Sequence, residues 1–148
     1  MSKNLFITGT GTDIGKTFVA GLIVKKLKGS GRDAAYYKAA MSGNVRGEDG
    51  LLIPGDALHV KNVSGIEQPL KSMCPYVYET AVSPHLASRI EGNRVQFPLV
   101  RQTFYDVCQN YGYVTVEGSG GIACPICFDE EKLRLDELVK MLNLSSLI

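Results

Sequence analysis

The sequence predicts an α/β fold: a doubly wound, mostly parallel sheet with helices on both faces. Three observations point there. A short apolar run, Leu5-Phe6-Ile7, meets a loop-forming stretch from Gly9 to Gly15 and then a helical pattern from Lys16. Two further strand-like runs, 34–38 and 113–117, alternate with helical patterns. Strands separated by helices pair in parallel through right-handed crossovers.

The first strand reads as buried because Leu5-Phe6-Ile7 is apolar between Asn4 and Thr8. Residues Gly9 to Gly15 hold three glycines, two threonines and Asp13, which is loop chemistry. From Lys16 the chain is apolar over most of a helical circumference, predicting a largely buried helix that stops at Gly29-Ser30-Gly31. Glycines and prolines break up residues 43–81, and only Asp56 to Val63 predicts a short helix there. Ser83-Pro84 reads as an N-cap with proline at the first helical position, and that helix is expected to end near Gly92-Asn93. Val100, Phe104, Val107, Cys108 and Tyr111 recur on one helical face. Tyr113 to Glu117 predicts a third strand, ending in Gly118-Ser119-Gly120-Gly121. Leu135, Leu138, Val139 and Leu142 mark a final helix, and Ser145-Ser146-Leu147-Ile148 opens another strand. One nucleotide-binding domain over residues 1–148 is expected, reading as the N-terminal part of a longer one.

Composition narrows the function. The formal net charge of +1 leaves no whole-chain basic footprint for nucleic acid. No apolar run approaches the roughly 18 residues of a membrane-spanning helix. The N-terminus lacks the apolar stretch of a secretory signal, so a cytoplasmic location is expected. Cys124-Pro125-Ile126-Cys127 has C-x-x-C spacing, but no second ligand pair accompanies it, and free thiols in a reducing compartment are expected.

The loop Gly9-Thr10-Gly11-Thr12-Asp13-Ile14-Gly15-Lys16-Thr17 between strand and helix is a phosphate-binding loop of the P-loop type. Glycines let backbone N–H groups turn inward around phosphate oxygens, and the helix start adds partial positive charge. Lys16 supplies a cation for the β- and γ-phosphates, and Thr17 a hydroxyl for Mg²⁺. The usual spacing puts its first glycine at position 10, where Thr10 stands, so the loop is one residue longer counted from Gly9. A dinucleotide fingerprint fails, because its third glycine falls on Ile14.

Lys38 ends the second strand, where ligands bind in open α/β sheets. Position alone leaves it open between a phosphate partner and a solvated lysine. Ser42 is open between a ligand donor and a turn residue. Glu117 ends the third strand in a good position to hold Mg²⁺; Asp56 is either a second such ligand or an ordinary N-cap. The amides of Gly118, Ser119, Gly120 and Gly121 can form an anion nest. His59 and His85 have no assignable partners.

With these residues in view, the chain resembles the dethiobiotin synthetase family. The match rests on the loop from Gly9 to Thr17, Tyr37-Lys38-Ala39-Ala40-Met41-Ser42-Gly43, Gly55-Asp56-Ala57-Leu58, Ser83-Pro84-His85, and Val116-Glu117-Gly118-Ser119-Gly120-Gly121. Ala39 stands where the family has proline, and the C-P-I-C stretch replaces a small polar residue and proline. The resemblance implies ATP- and Mg²⁺-dependent ring closure of 7,8-diaminononanoate with CO₂, or bicarbonate as its source. Asp13, Ile14, Gly15, Lys16, Thr17 and Phe18 would then wrap the ATP phosphates, and Thr17, Asp56 and Glu117 would hold Mg²⁺. Lys38, with Lys16 on the other side, would stabilise the carbamate and moving phosphoryl group, and Ser42 would touch the substrate. It also implies a homodimer, with adenine-recognition and dimer segments beyond Ile148, so the 148 residues alone are expected to be inactive. Two other readings remain: an ATPase of the cobyrinic-acid amide synthase or partition class, disfavoured by the segment at 38–42, and a nucleotide-binding module without turnover.

Overall fold

The computed structural model describes residues 2–128 and 132–148. In chain order the first half comprises β1 (Lys3–Ile7), α1 (Lys16–Gly29), β2 (Ala34–Tyr37), β3 (Ala40–Met41), β4 (Val45–Arg46), β5 (Leu52–Ile53), α2 (Gly55–Ser64) and α3 (Leu70–Met73). The second half adds β6 (Tyr76–Val77), α4 (Pro84–Ile90), α5 (Phe97–Asn110), β7 (Tyr113–Glu117), β8 (Pro125–Phe128), β9 (Lys132–Arg134), α6 (Leu135–Met141) and β10 (Ser145–Leu147).

Four parallel strands form the central sheet in the order β10-β1-β7-β2. Register sets which residues stand side by side: Ile7 opposite Glu117, Tyr36 opposite Thr115, and Tyr37 opposite Val116. Alternation then divides the core. Phe6, Ala35, Tyr37, Val114 and Val116 pack with Val100, Phe104 and Val107 of α5 and Leu135 and Leu138 of α6. Ile7, Ala34 and Tyr36 pack on the other face with Ala20 and Val24 of α1 and Ala57 and Val60 of α2. Helices thus cover both faces, the doubly wound arrangement the alternation predicts. The carboxyl ends of β1, β2 and β7 lie together, and the loops that leave them share one edge.

Several expectations are corrected. α1 is not largely buried: Ala20, Gly21 and Val24 are covered, but Phe18, Val19 and Leu22 are exposed. Gly21 faces α2 beside Val63, and Val24, Ile23 and Leu27 pack on the core, while Phe18, Val19 and Leu22 lie outside. Asp56 is not the N-cap of α2. Pro54 takes that position, and Asp56 sits in the first turn with its carboxylate turned to Lys38. Tyr111 falls just past α5 rather than on its buried face. Ser83 does cap α4 with Pro84 following, though its hydroxyl makes no capping bond. The short pairs β3–β6, β4–β5 and β8–β9 have no counterpart in the expectation of few strands.

Candidate functional site

β1 ends at Ile7, and the chain turns through Gly9–Gly15 before α1 starts. Two residues in the left-handed region make this turn: Asp13, with φ 55°, and Gly15, with φ 98°. Asp13 tolerates that conformation better than most residues because of its short polar side chain. The first turn of α1 carries no acidic residue, so its positive end is not neutralised from within the helix. The Lys16 ammonium donates back to the Gly11 carbonyl, folding its stem along the loop.

The glycine-rich turn after β7 braces this loop. The Gly118 N–H donates to Ile7 O at 2.9 Å, and the Ile122 N–H to Gly9 O at 3.1 Å. A side chain at Gly121 would place its Cβ 3.0 Å from the Thr10 carbonyl oxygen, so only glycine lets the two backbones meet.

Between these loops, Lys38 bridges two carboxylates. Its Nζ lies 2.6 Å from Asp56 Oδ2 and 2.8 Å from Glu117 Oε1. The Thr17 hydroxyl donates to the same Glu117 oxygen at 2.8 Å, and the Tyr36 hydroxyl donates to Oε2 at 2.7 Å. Burial acts to lower the Lys38 pKa, but Glu117 and then Asp56 overcome it and hold it above the ordinary lysine value. Lys16 lies below that value, first through burial and then through the charge of Lys38. The two ammonium groups therefore differ: Lys38 is held charged by its carboxylates, and Lys16 is more weakly supported.

Two clefts open beside the cluster. One, of about 490 Å³, is lined by Asp13, Gly15, Lys16, Thr17, Phe18, Lys38, Asp56, Glu117 and Gly120, together with Thr12 and His59. The other, of about 520 Å³, shares Lys38, Asp56 and Gly120 and extends past Ser42, Ser83, Ser119 and Cys124. The structure thus brings nearly all the sequence-derived positions into two adjoining clefts. Two stand apart. Ile14 is exposed, its side chain folded toward Gly9, and the Gly118 N–H is already committed to Ile7. Ser119 is buried, and its hydroxyl donates to Ala40 O at 2.5 Å. Thr12, Tyr36, Ser83 and Cys124 were not singled out from sequence for this site. Tyr36 had a signal, since it lies two residues before Lys38 on a strand and so on the same face.

The arrangement suits a polyphosphate with a hard cation. The Lys38 ammonium sits where two carboxylates and the Thr17 hydroxyl converge, and Mg²⁺ takes one or two carboxylates alongside phosphate oxygens. All four cysteines are free thiols, and Cys127 is buried in the α5–α6 side of the core. Among the described residues no helix is long and apolar enough to cross a membrane.

A family model described as AAA domain matches residues 3–148. The chain is 43% identical over 148 residues to the ATP-dependent dethiobiotin synthetase BioD of Clostridium botulinum (strain Langeland), covering 100% of this chain and 65% of that protein. It is 43% identical over 148 residues to the protein of the same name from Clostridium perfringens (strain 13), covering 100% of this chain and 64% of that protein. The Clostridium novyi (strain NT) protein of that name is 44% identical over 149 residues, with 100% of this chain and 62% of that protein covered. The chain thus spans just under two thirds of the length of these relatives.

Proposed function

We propose, on the premise that this chain belongs to the AAA domain family whose model spans residues 3–148, that it forms the phosphate-binding and carbamate-handling part of a dethiobiotin synthetase. In this reading one amine of 7,8-diaminononanoate captures CO₂ as a carbamate. ATP phosphorylates the carbamate oxygen, and the second amine attacks its carbon and closes the ureido ring, expelling phosphate. The backbone from Asp13 to Phe18 and the Lys16 ammonium bind the ATP phosphates. Thr17, Asp56 and Glu117 would hold Mg²⁺, which supplies neutralisation of charge on the phosphate oxygens when bound.

Lys38 takes the central role because of its position. It lies at the junction of the phosphate cleft and the cleft containing Ser42, so one ammonium faces both the transferring phosphoryl group and the carbamate that receives it. Its carboxylate partners keep it protonated, which suits electrostatic stabilisation of developing negative charge rather than proton abstraction. Ser42, Ser119 and the Gly120 backbone line the cleft on the acceptor side. Catalysis is then positioning and charge neutralisation in a shared pocket. A cytoplasmic homodimer belongs to the same proposal.

The single observation that carries the reading is this bridging of Asp56 and Glu117 by Lys38 at the meeting of two clefts. The test combines ATP, Mg²⁺, 7,8-diaminononanoate and labelled bicarbonate with this chain extended beyond Ile148 to the length of its relatives. Phosphate release should need both diaminononanoate and bicarbonate, and the label should enter a cyclic urea. Protein that binds nucleotide but never releases phosphate under these conditions refutes the reading in favour of a nucleotide-binding module. Turnover that needs an amide-nitrogen donor instead points to the amide synthase class.

A further inference from the structure

We infer that Tyr36 is a positioning residue that fixes the Glu117 carboxylate so that a single oxygen faces the cation site. The inference rests on the Mg²⁺–ATP part of the proposed function and extends it to a side chain outside the cleft lining.

Tyr36 lies on β2, the edge strand of the central sheet. At an edge, backbone groups pointing outward lack a strand partner. Here the Gln68 side chain supplies one. Its Oε1 accepts the Tyr36 N–H at 2.8 Å, and its Nε2 donates to Tyr36 O at 3.0 Å. Gln68 is only 1% exposed, so water does not compete for these bonds. Both backbone groups of Tyr36 are therefore held on the outer side by Gln68, while the pairing of β2 with β7, with Tyr36 opposite Thr115, holds the strand from the inner side.

The pinned backbone fixes the phenol. Tyr36 is completely buried, and its hydroxyl donates to Glu117 Oε2 at 2.7 Å. That oxygen is thereby committed to the core, and Oε1 alone meets Thr17 and Lys38. A carboxylate held by one oxygen cannot readily rotate to offer both to an ion. One-point coordination fits the strict octahedral demand of Mg²⁺. Partners that orient a metal ligand in this way matter strongly for metal affinity.

The competing interpretation is that Tyr36 only fills space, and phenylalanine would fill nearly the same space. Calorimetry of ATP binding with and without Mg²⁺ separates the two. In Tyr36→Phe the gain in affinity from Mg²⁺ should fall about tenfold. Affinity without Mg²⁺ should stay within about twofold, because the phosphate loop is untouched. In a Glu117→Gln background, Tyr36→Phe should change the Mg²⁺ gain by less than about twofold, since the hydroxyl acts through that carboxylate. This pair also serves if Tyr36→Phe alone does not fold, because the amide removes the unpaired buried charge.

An unchanged Mg²⁺ gain in folded Tyr36→Phe overturns the inference, as does an equal loss with and without the ion. A further Mg²⁺-specific loss in the Glu117→Gln background overturns it too. Wild-type protein that gains nothing from Mg²⁺ overturns the metal assignment and the role of Tyr36 together. Protein extended beyond Ile148 that shows the gain but makes no dethiobiotin overturns the function alone, and the titration still decides Tyr36.

Discussion

Tyr36 and Tyr37 are neighbours on one strand, equally buried, and their hydroxyls end in opposite surroundings. Tyr36 points to the α1 side and donates to a carboxylate. Tyr37 points to the α5 side, where its hydroxyl donates to the Val100 carbonyl at 2.9 Å and lies 2.9 Å from Thr103 Oγ1. Its ring meets Phe104 edge-on, with centroids 5.5 Å apart. Both phenols lie above the ordinary tyrosine pKa, chiefly through burial. The Glu117 charge adds to the shift at Tyr36, whereas the Thr103 hydrogen bond opposes it at Tyr37. The comparison teaches that the two faces of this sheet do different work. The α1 face ends in a network of charged groups at the strand tips, and the α5 face is held by apolar packing and neutral hydrogen bonds.

The sharpest break between the faces is expected at Lys38. Lys38→Ala should lower turnover about 10²- to 10³-fold, as losing one transition-state donor does, while ATP binding persists. Lys16→Ala should lose nucleotide affinity as well. Phosphate release and calorimetry on both variants decide this; equal losses of affinity would make Lys38 a second phosphate clamp and erase the distinction drawn here.

The opposite face should respond in stability. Phe104 is 1% exposed beneath Tyr37, and Phe104→Ala should cost about 3–5 kcal/mol of unfolding free energy. The Mg²⁺ gain in ATP affinity should be unchanged in the folded fraction. Denaturant unfolding with parallel nucleotide titration measures both, and a Mg²⁺-specific loss would show that the faces are coupled.

Tyr37→Phe gives the smallest effect and the closest control for Tyr36. Removing a buried neutral hydroxyl whose carbonyl and threonine partners have other bonds should cost about 1 kcal/mol. The Thr103 hydroxyl also donates to Leu99 O at 2.9 Å, which softens the loss. Thermal unfolding should shift slightly, with the response to Mg²⁺ intact. A Mg²⁺ response that falls as far as in Tyr36→Phe would mean that the hydroxyl's partner does not matter.

The phosphate loop was legible because its chemistry is local: glycines, a lysine and a threonine in consecutive order between a strand and a helix. Glu117 and Lys38 were legible as strand-end residues, although their contact across two strands was not. Asp56 was legible only as a choice between two roles. Pro54 and Gly55 start α2 before it, which frees its carboxylate to meet Lys38. The outward side of α1 was misread because an apolar residue carries no mark of whether anything covers it. The two-residue strands were missed because such short runs have no periodicity of their own; partner strands define them.

By itself the sequence determined the chain order of the central-sheet strands and the longer helices, the phosphate loop, and the reactive side chains at the strand ends. These follow from local backbone preference and from periodicity, which act over a few residues. Tertiary structure decided which oxygen of Glu117 meets Lys38, that Gln68 completes the edge of β2, and that the Tyr36 hydroxyl ends on Glu117. Those outcomes depend on register between strands distant in the chain. Alternation alone puts Tyr36 on the Lys38 side of the strand, but only the register of β2 against β7 brings that side to Glu117.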